Sequence, residues 1–217
     1  MARDNYEKMI LVLRNKVVEM MDISREILDE SIRSFVEKDI EAAKMITNKD
    51  DAVDDLLNQV EDICTELIAL QQPTAKDMRL IFSIIKMATD IERIGDYCVN
   101  ISREVIVIGD EPHYMEAKDV LKMRDIIQGM FADTRKSFID GDAYLALKVG
   151  KQDDLVDEIY RDFYNEVLLR ISDNREFIRQ GTKLLFIGRH LERIADHITN
   201  ICEKVVYITR GEKIQIN

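Results

Sequence analysis

The chain has no tryptophan and only 2 prolines, 8 glycines and 3 cysteines in 217 residues. So little Gly and Pro leaves few residues suited to tight turns, which argues against a β-rich fold. Cys64, Cys98 and Cys202 are odd in number and show no C-x-x-C spacing. They read as reduced, packed thiols and point to a cytoplasmic protein. No apolar stretch approaches the roughly 18 residues needed to span a bilayer, because Asp, Glu, Lys or Arg interrupts every run. The first residues, Met1-Ala2-Arg3-Asp4-Asn5-Tyr6, lack the basic-then-apolar layout of a signal peptide. The chain is expected to be soluble and to meet a membrane only through partners. Positive charge is also short, 31 Lys plus Arg against 42 Asp plus Glu, for a net charge of -11. That balance disfavours a nucleic-acid binder, which needs a Lys/Arg surface for counterion release.

What the chain does have is helical periodicity. Val53, Leu56, Leu57, Val60, Ile63, Cys64, Leu67 and Ile68 form one apolar stripe, and Ile84, Met87, Ile91, Ile94, Cys98, Ile101 and Val105 another. Spacings of three and four mean amphipathic helices facing a common core. Segments of about 25 to 35 residues correspond to rods of roughly 40 to 50 Å. Pro73 separates two such segments, with Thr74 as N-cap of the second, and Asp39 and Asp142 also sit where N-caps belong. Ser172-Asp173-Asn174 reads as a turn. Pro112 lies near the midpoint, in a linker. Met20, Met21, Met87 and Met123 fall within the apolar periodicity and read as core.

An internal repeat accounts for that linker. At an offset of 103, Phe35-Val36-Glu37-Lys38-Asp39 matches Phe138-Ile139-Asp140-Gly141-Asp142, and Asp50-Asp51-Ala52-Val53-Asp54-Asp55 matches Asp153-Asp154-Leu155-Val156-Asp157-Glu158. Beyond Pro73 the offset becomes 100. There Glu92-Arg93-Ile94-Gly95-Asp96 matches Glu192-Arg193-Ile194-Ala195-Asp196, and Asn100-Ile101 matches Asn200-Ile201. The expected fold is therefore all-α: two tandem three-helix bundles, residues 1–109 and 113–217, made of six long helices.

The chemistry lies in repeated acidic pairs. Residues four apart share a helix face. Asp51/Asp55 and Glu92/Asp96 in the first half, and Asp154/Glu158 and Glu192/Asp196 in the second, are such pairs. Each like-charge pair costs about 0.2–0.5 kcal/mol if nothing compensates it. Two explanations stand. The pairs are solvated or neutralised by Arg93 and Arg193, or they hold hard or intermediate cations between neighbouring helices. Glu-x-x-His, the ferritin-like di-iron pattern, is absent, as are H-E-x-x-H, P-loop and G-x-S-x-G motifs. His197 is either a peripheral ligand or an ordinary surface histidine. Asn100 and Asn200 lie four residues beyond Asp96 and Asp196, on the same face.

These residues carry a family likeness. Asp90-Ile91-Glu92-Arg93-Ile94-Gly95-Asp96 and Leu191-Glu192-Arg193-Ile194-Ala195-Asp196-His197 resemble the paired E/D-x-x-x-D signatures of the PhoU family. Gln72-Pro73-Thr74-Ala75-Lys76-Asp77-Met78-Arg79 is similar to that family's Q-P-x-A-x-D-L-R turn, with Met78 in place of Leu. Asn200-Ile201-Cys202-Glu203-Lys204-Val205-Val206-Tyr207-Ile208 resembles its second-repeat ending. The resemblance implies a cytoplasmic, non-enzymatic regulator of phosphate uptake and phosphate-starvation signalling, a negative regulator when phosphate is plentiful. It implies two partners, the ATPase subunit of the phosphate ABC transporter (PstB) and the phosphate sensor kinase (PhoR). It also implies multinuclear iron or zinc, or another divalent cation, held by Asp51, Asp55, Glu92, Asp96, Asp154, Glu158, Glu192 and Asp196. The first helix of each half offers no matched acidic pair for a third ligand set. Long acidic bundles also offer flat faces for a homodimer. The alternatives from other classes are a metal-free helical scaffold and a carboxylate-bridged metalloenzyme.

Overall fold

The computed structural model of the chain describes residues 2–47, 49, 51–113 and 115–216; Asp50, which heads one of the repeat matches, lies outside them. Its elements are α1 (Ala2–Glu37), α2 (Ile40–Ile46), α3 (Asp51–Gln71), α4 (Ala75–Ile108), α5 (Lys118–Asp140), α6 (Ala143–Asp173) and α7 (Ile178–Arg210), with a 3-10 turn at Arg175–Phe177 before α7. Helices α1, α3 and α4 pack together as one bundle and α5, α6 and α7 as a second. The fold is the expected pair of three-helix bundles, with one difference between them. The second helix is continuous in the second half (α6) and divided in the first, where short α2 leans on α1 and α4 before α3 begins. Among the described residues no helix is long and apolar enough to cross a membrane.

The caps form where the sequence placed them. Thr74 and Asp77 make a reciprocal capping box at the start of α4, Thr74 N–H donating to Asp77 Oδ2 at 2.9 Å and Asp77 N–H to Thr74 Oγ1 at 3.4 Å. Asp39 accepts from the Ala42 N–H, and Asp142 from those of Tyr144 and Leu145. Asn174 is the exception to the expected turn at 172–174. Helix α6 runs on through Asp173, and only Asn174 turns the chain, its side chain accepting from Glu176 N–H.

The apolar stripes fill the core. Val53, Val60, Leu67, Ile84, Met87, Ile91, Ile94 and Ile101 are inaccessible to solvent, and so are Met20 and Met123. All three cysteines are buried and form no disulfide. The linker is tied to both bundles: the His113 ring lies edge-on to Phe35 with Nε2 3.1 Å from its carbonyl, and Gln180 Nε2 donates to the Pro112 carbonyl at 3.0 Å.

The bundles also meet along two antiparallel seams. On one, α1 faces α5 through Asp22–Arg135, Arg25–Gln128 and Asp29–Arg124. On the other, α4 faces α7. Arg25 and Gln128 are repeat equivalents at the offset of 103, and Tyr97 and His197 at the offset of 100, and each meets its own mate, the two rings 5.7 Å apart. Contacts between equivalents place both pairs on an approximate two-fold axis that exchanges the halves.

The repeat exposes one local difference in backbone strain. Lys38 and Gly141 are equivalents that both adopt a left-handed conformation (φ 58° and 66°), each closing a 6→1 bond, Asp39 N–H to the Ser34 carbonyl and Asp142 N–H to the Ser137 carbonyl, both 2.9 Å. Glycine carries no Cβ penalty there; lysine does. Lys38→Gly is expected to stabilise the protein by about 1 kcal/mol, read as a higher urea midpoint with unchanged m-value. A lower midpoint would show that Lys38 contributes something its backbone geometry does not.

Candidate functional site

Helices α4 and α7 bring the two acidic signatures side by side. Their seam runs from Asp90, which meets His197 Nδ1 at 2.9 Å and Asn200 Nδ2 at 3.4 Å, to Glu104, which pairs with Lys183 at 2.9 Å. Midway lies the Tyr97 ring, 5.6 Å from that of His190 and under the Arg193 guanidinium, which donates to its hydroxyl at 3.1 Å. His197 is thus a half-buried seam residue bonded to Asp90. Asn200 shares that acceptor, whereas Asn100 accepts from Arg103 at 2.9 Å on its own helix.

An acidic cluster lies on each side of the seam. In the first half, Glu92 and Asp96 of α4 face Asp54 of α3. In the second, Glu192 and Asp196 of α7 face Asp157 of α6. The electrostatics show the grouping. Burial, reinforced by neighbouring carboxylates, raises the pKa of Glu92 (Asp96, then Asp54), Asp54 (Asp96, then Asp51 and Asp55), Glu192 (Asp196, then Asp157), Asp157 (Asp154) and Asp196 (Asp157). His197 lowers both Glu92 and Asp196, and so lies between the clusters.

Two residues of these clusters were not among the sequence candidates. Asp54 and Asp157, mates at the offset of 103, are the α3 and α6 carboxylates that couple to α4 and α7. Asp51 and Asp55 reach the first cluster through Asp54, and Asp154 the second through Asp157; Asp51, Asp55, Asp154 and Glu158 are all exposed. The signal was present as a three-residue spacing from Asp51 and Asp154, repeated in both halves.

The clusters are partly neutralised by arginine. Arg93 donates to Asp96 at 2.9 Å and lies 3.4 Å from Glu92. In the second half the equivalent Arg193 bonds Tyr97 instead, and Arg189 holds Glu192. Glu192 Oε2 stays buried without a hydrogen-bond partner.

The comparisons with known proteins point one way. The PhoU domain model matches residues 17–105 and again 120–205. The chain is 31% identical over 218 residues to a phosphate-specific transport system accessory protein PhoU homolog of Clostridium acetobutylicum, covering 100% of both, and 34% identical over 202 residues to one of Aquifex aeolicus, covering 93% of this chain and 91% of that one. The chain belongs to the PhoU family. Its fold superposes on the crystal structure of the phosphate transport system regulatory protein PhoU from Streptococcus pneumoniae with a TM-score of 0.91 at 29% identity, over 97% of this chain and 99% of that one. PhoU proteins are accessory and regulatory proteins, so this member is not an enzyme.

For a PhoU protein the question is whether the acidic faces suit a metal. The donors do: carboxylate oxygens from two adjacent helices are the ligands that hard cations take. The buried, unpartnered Glu192 Oε2 and the raised pKa values show negative charge that the surroundings under-compensate. The side chains are not gathered for it, however. Among the described residues no group of three or more His, Cys, Asp or Glu is arranged to hold an ion. Arg93 and Arg189 account for part of this, because each holds a carboxylate that a metal would need.

A pH dependence follows. A carboxyl whose pKa is raised by folding binds its proton more tightly in the folded chain, so its ionisation weakens the fold. The weakening is complete above the raised value and disappears as the pH falls through it toward the ordinary carboxylate value of about 4. With chelator present, Tm is expected to climb as the pH is lowered from about 7 toward the top of the carboxylate range. The double change Asp54→Asn and Asp157→Asn should raise Tm at neutral pH and flatten that climb. A Tm indifferent to both would contradict the clustering.

Proposed function

We propose that this PhoU protein is a cytoplasmic regulator of phosphate uptake and phosphate-starvation signalling. It would bridge the ATPase of the phosphate ABC transporter (PstB) and the sensor kinase (PhoR), and restrain the response when phosphate is plentiful. The names of its relatives, accessory and regulatory proteins of the phosphate transport system, support the transport side. The observation that carries the adaptor role is the pair of acidic faces set beside one seam, one on each of the units 1–109 and 113–217. Two like surfaces on one rigid body suit contact with two partners, or with two copies of one partner, including a second copy of this chain. Occupancy of the faces by cations would set their charge and shift which partner-bound state is populated.

The metal ligands would be Asp54, Glu92 and Asp96 on one face and Asp157, Glu192 and Asp196 on the other. Asp51, Asp55, Asp154 and Glu158 would extend the sets toward solvent. Iron, zinc or another divalent cation bound there would supply positive charge able to meet anionic phosphate, which bare carboxylates repel. Arg93 and Arg189 would release their carboxylates on metal entry. The combined change Glu92→Gln, Asp96→Asn, Glu192→Gln and Asp196→Asn is expected to abolish retained metal, measured by mass spectrometry of the purified, folded protein. Unchanged metal content would end the assignment.

The arginine pairs also favour a second reading, a metal-free scaffold in which Arg93 and Arg189 are the permanent counter-charges. It predicts no stoichiometric metal in the wild-type protein and no loss of partner binding in the amide variant. Affinity purification from phosphate-replete cells tests the adaptor role directly. The transporter ATPase and the sensor kinase are both expected to come with the chain, and recovery of neither would favour the scaffold.

A further inference from the structure

At one end of the α4–α7 seam is a cleft of 470 Å³ whose walls differ in charge and shape from those at the other end. The two-fold repeat makes the comparison direct, because an offset of 100 maps each end onto the other. At the far end Lys183 reaches across the seam to Glu104 at 2.9 Å and lies over one face of the Phe186 ring. Here the position of Lys183 is taken by Ser83, buried and too short to cross, and that of Glu104 by Lys204. The bridging pair is therefore lost. In its place are an opening and a positive charge.

The rest of the cleft adds to both properties. Lys86 of α4 takes the place of Phe186. The segment after α7 folds back along the seam, with Ile216 N–H donating to Glu203 Oε1 at 3.1 Å, and sets Lys213 over the Tyr207 ring. Three lysines and one carboxylate, Glu203, thus line the cleft, and both carboxylate oxygens are engaged, Oε1 by Ile216 and Oε2 by Lys204 at 3.3 Å. Among the described residues no carboxylate pairs with Lys86 or Lys213. On a chain of net charge -11 this concentration of unpaired positive charge is local and concave. Two rings, Phe82 and Tyr207, line the same cleft, and Phe82 is 52% exposed, which leaves a ring face accessible to a ligand.

Lysine ammonium groups bind phosphate as point charges, and exposed aromatic faces stack planar bases. We propose that this cleft binds a nucleoside phosphate, its base against Phe82 and its phosphate among Lys86, Lys204 and Lys213. The site is separate from the acidic faces and does not rest on their function.

Isothermal titration of the full chain with AMP, in chelator to remove any metal-bridged binding at the carboxylates, tests the proposal. Saturable binding of one AMP per chain is expected. Lys86→Glu should weaken it about tenfold or more, as expected for losing a charge-assisted contact and introducing repulsion. Phe82→Ala should weaken it several-fold. Both positions are exposed, and thermal melting verifies that the variants fold. Adenosine and ribose 5-phosphate, each lacking one half of the ligand, should bind much more weakly than AMP. Absence of saturable AMP binding would overturn the proposal, as would AMP binding that neither substitution alters. Equal binding of ribose 5-phosphate or inorganic phosphate would overturn the role of the rings.

Discussion

The antiparallel packing of α4 on α7 is the contact on which the rest of the molecule depends. Each of these helices contributes the acidic signature of its own bundle, so their seam decides how far apart the two faces lie. The seam is polar at intervals, through Asp90–His197, Arg193–Tyr97 and Glu104–Lys183. Polar partners across a packed seam fix register, because sliding by one helical turn would leave each of them unpaired. The second seam, α1 against α5, has the same character, with Arg25–Gln128 at its centre. Two seams with a shared two-fold relation hold the bundles as one unit, and Gln180 and His113 anchor the linker between them.

The fold was legible because its signals are local. Capping by Asp39, Thr74 and Asp142 depends on three or four consecutive residues, and the apolar stripes repeat within each helix. The division of the second helix into α2 and α3 was not legible, since Thr47 and Lys49 carry no breaker that distinguishes them from their mates in continuous α6. The acidic faces were half legible. Spacing along one helix finds Glu92/Asp96 and Glu192/Asp196. Choosing Asp54 over Asp55, or Asp157 over Glu158, requires knowing how α3 rolls against α4 and α6 against α7. Arg189 escaped for the same reason: the repeat directs attention to Arg193, but on α7 it is the residue one turn earlier that reaches Glu192. The lysine-lined cleft could not be read from the sequence, because it exists only once the segment after α7 folds back.

The halves are alike in plan and unlike in chemistry. Arg93 neutralises its own cluster, whereas Arg193 leaves its cluster for Tyr97 and Arg189 takes over. The asymmetry extends along the seam, bridged by an ion pair at one end and lined by lysines at the other. A regulator with two similar surfaces gains from such differences, since two partners, or one partner in two states, can then be told apart.

The meeting of Tyr97 with His197 bears on how such a molecule could arise. In a symmetric dimer of single bundles, a side chain on the axis faces its own copy, and selection can keep only residues that tolerate themselves. Two tyrosines or two histidines would have to serve. Once both bundles share one chain, the axial site becomes two separate codons, and a phenol can lie against an imidazole, with an arginine bound to one and an aspartate to the other. Covalent linkage thus opened a set of mixed pairs that no symmetric assembly could encode.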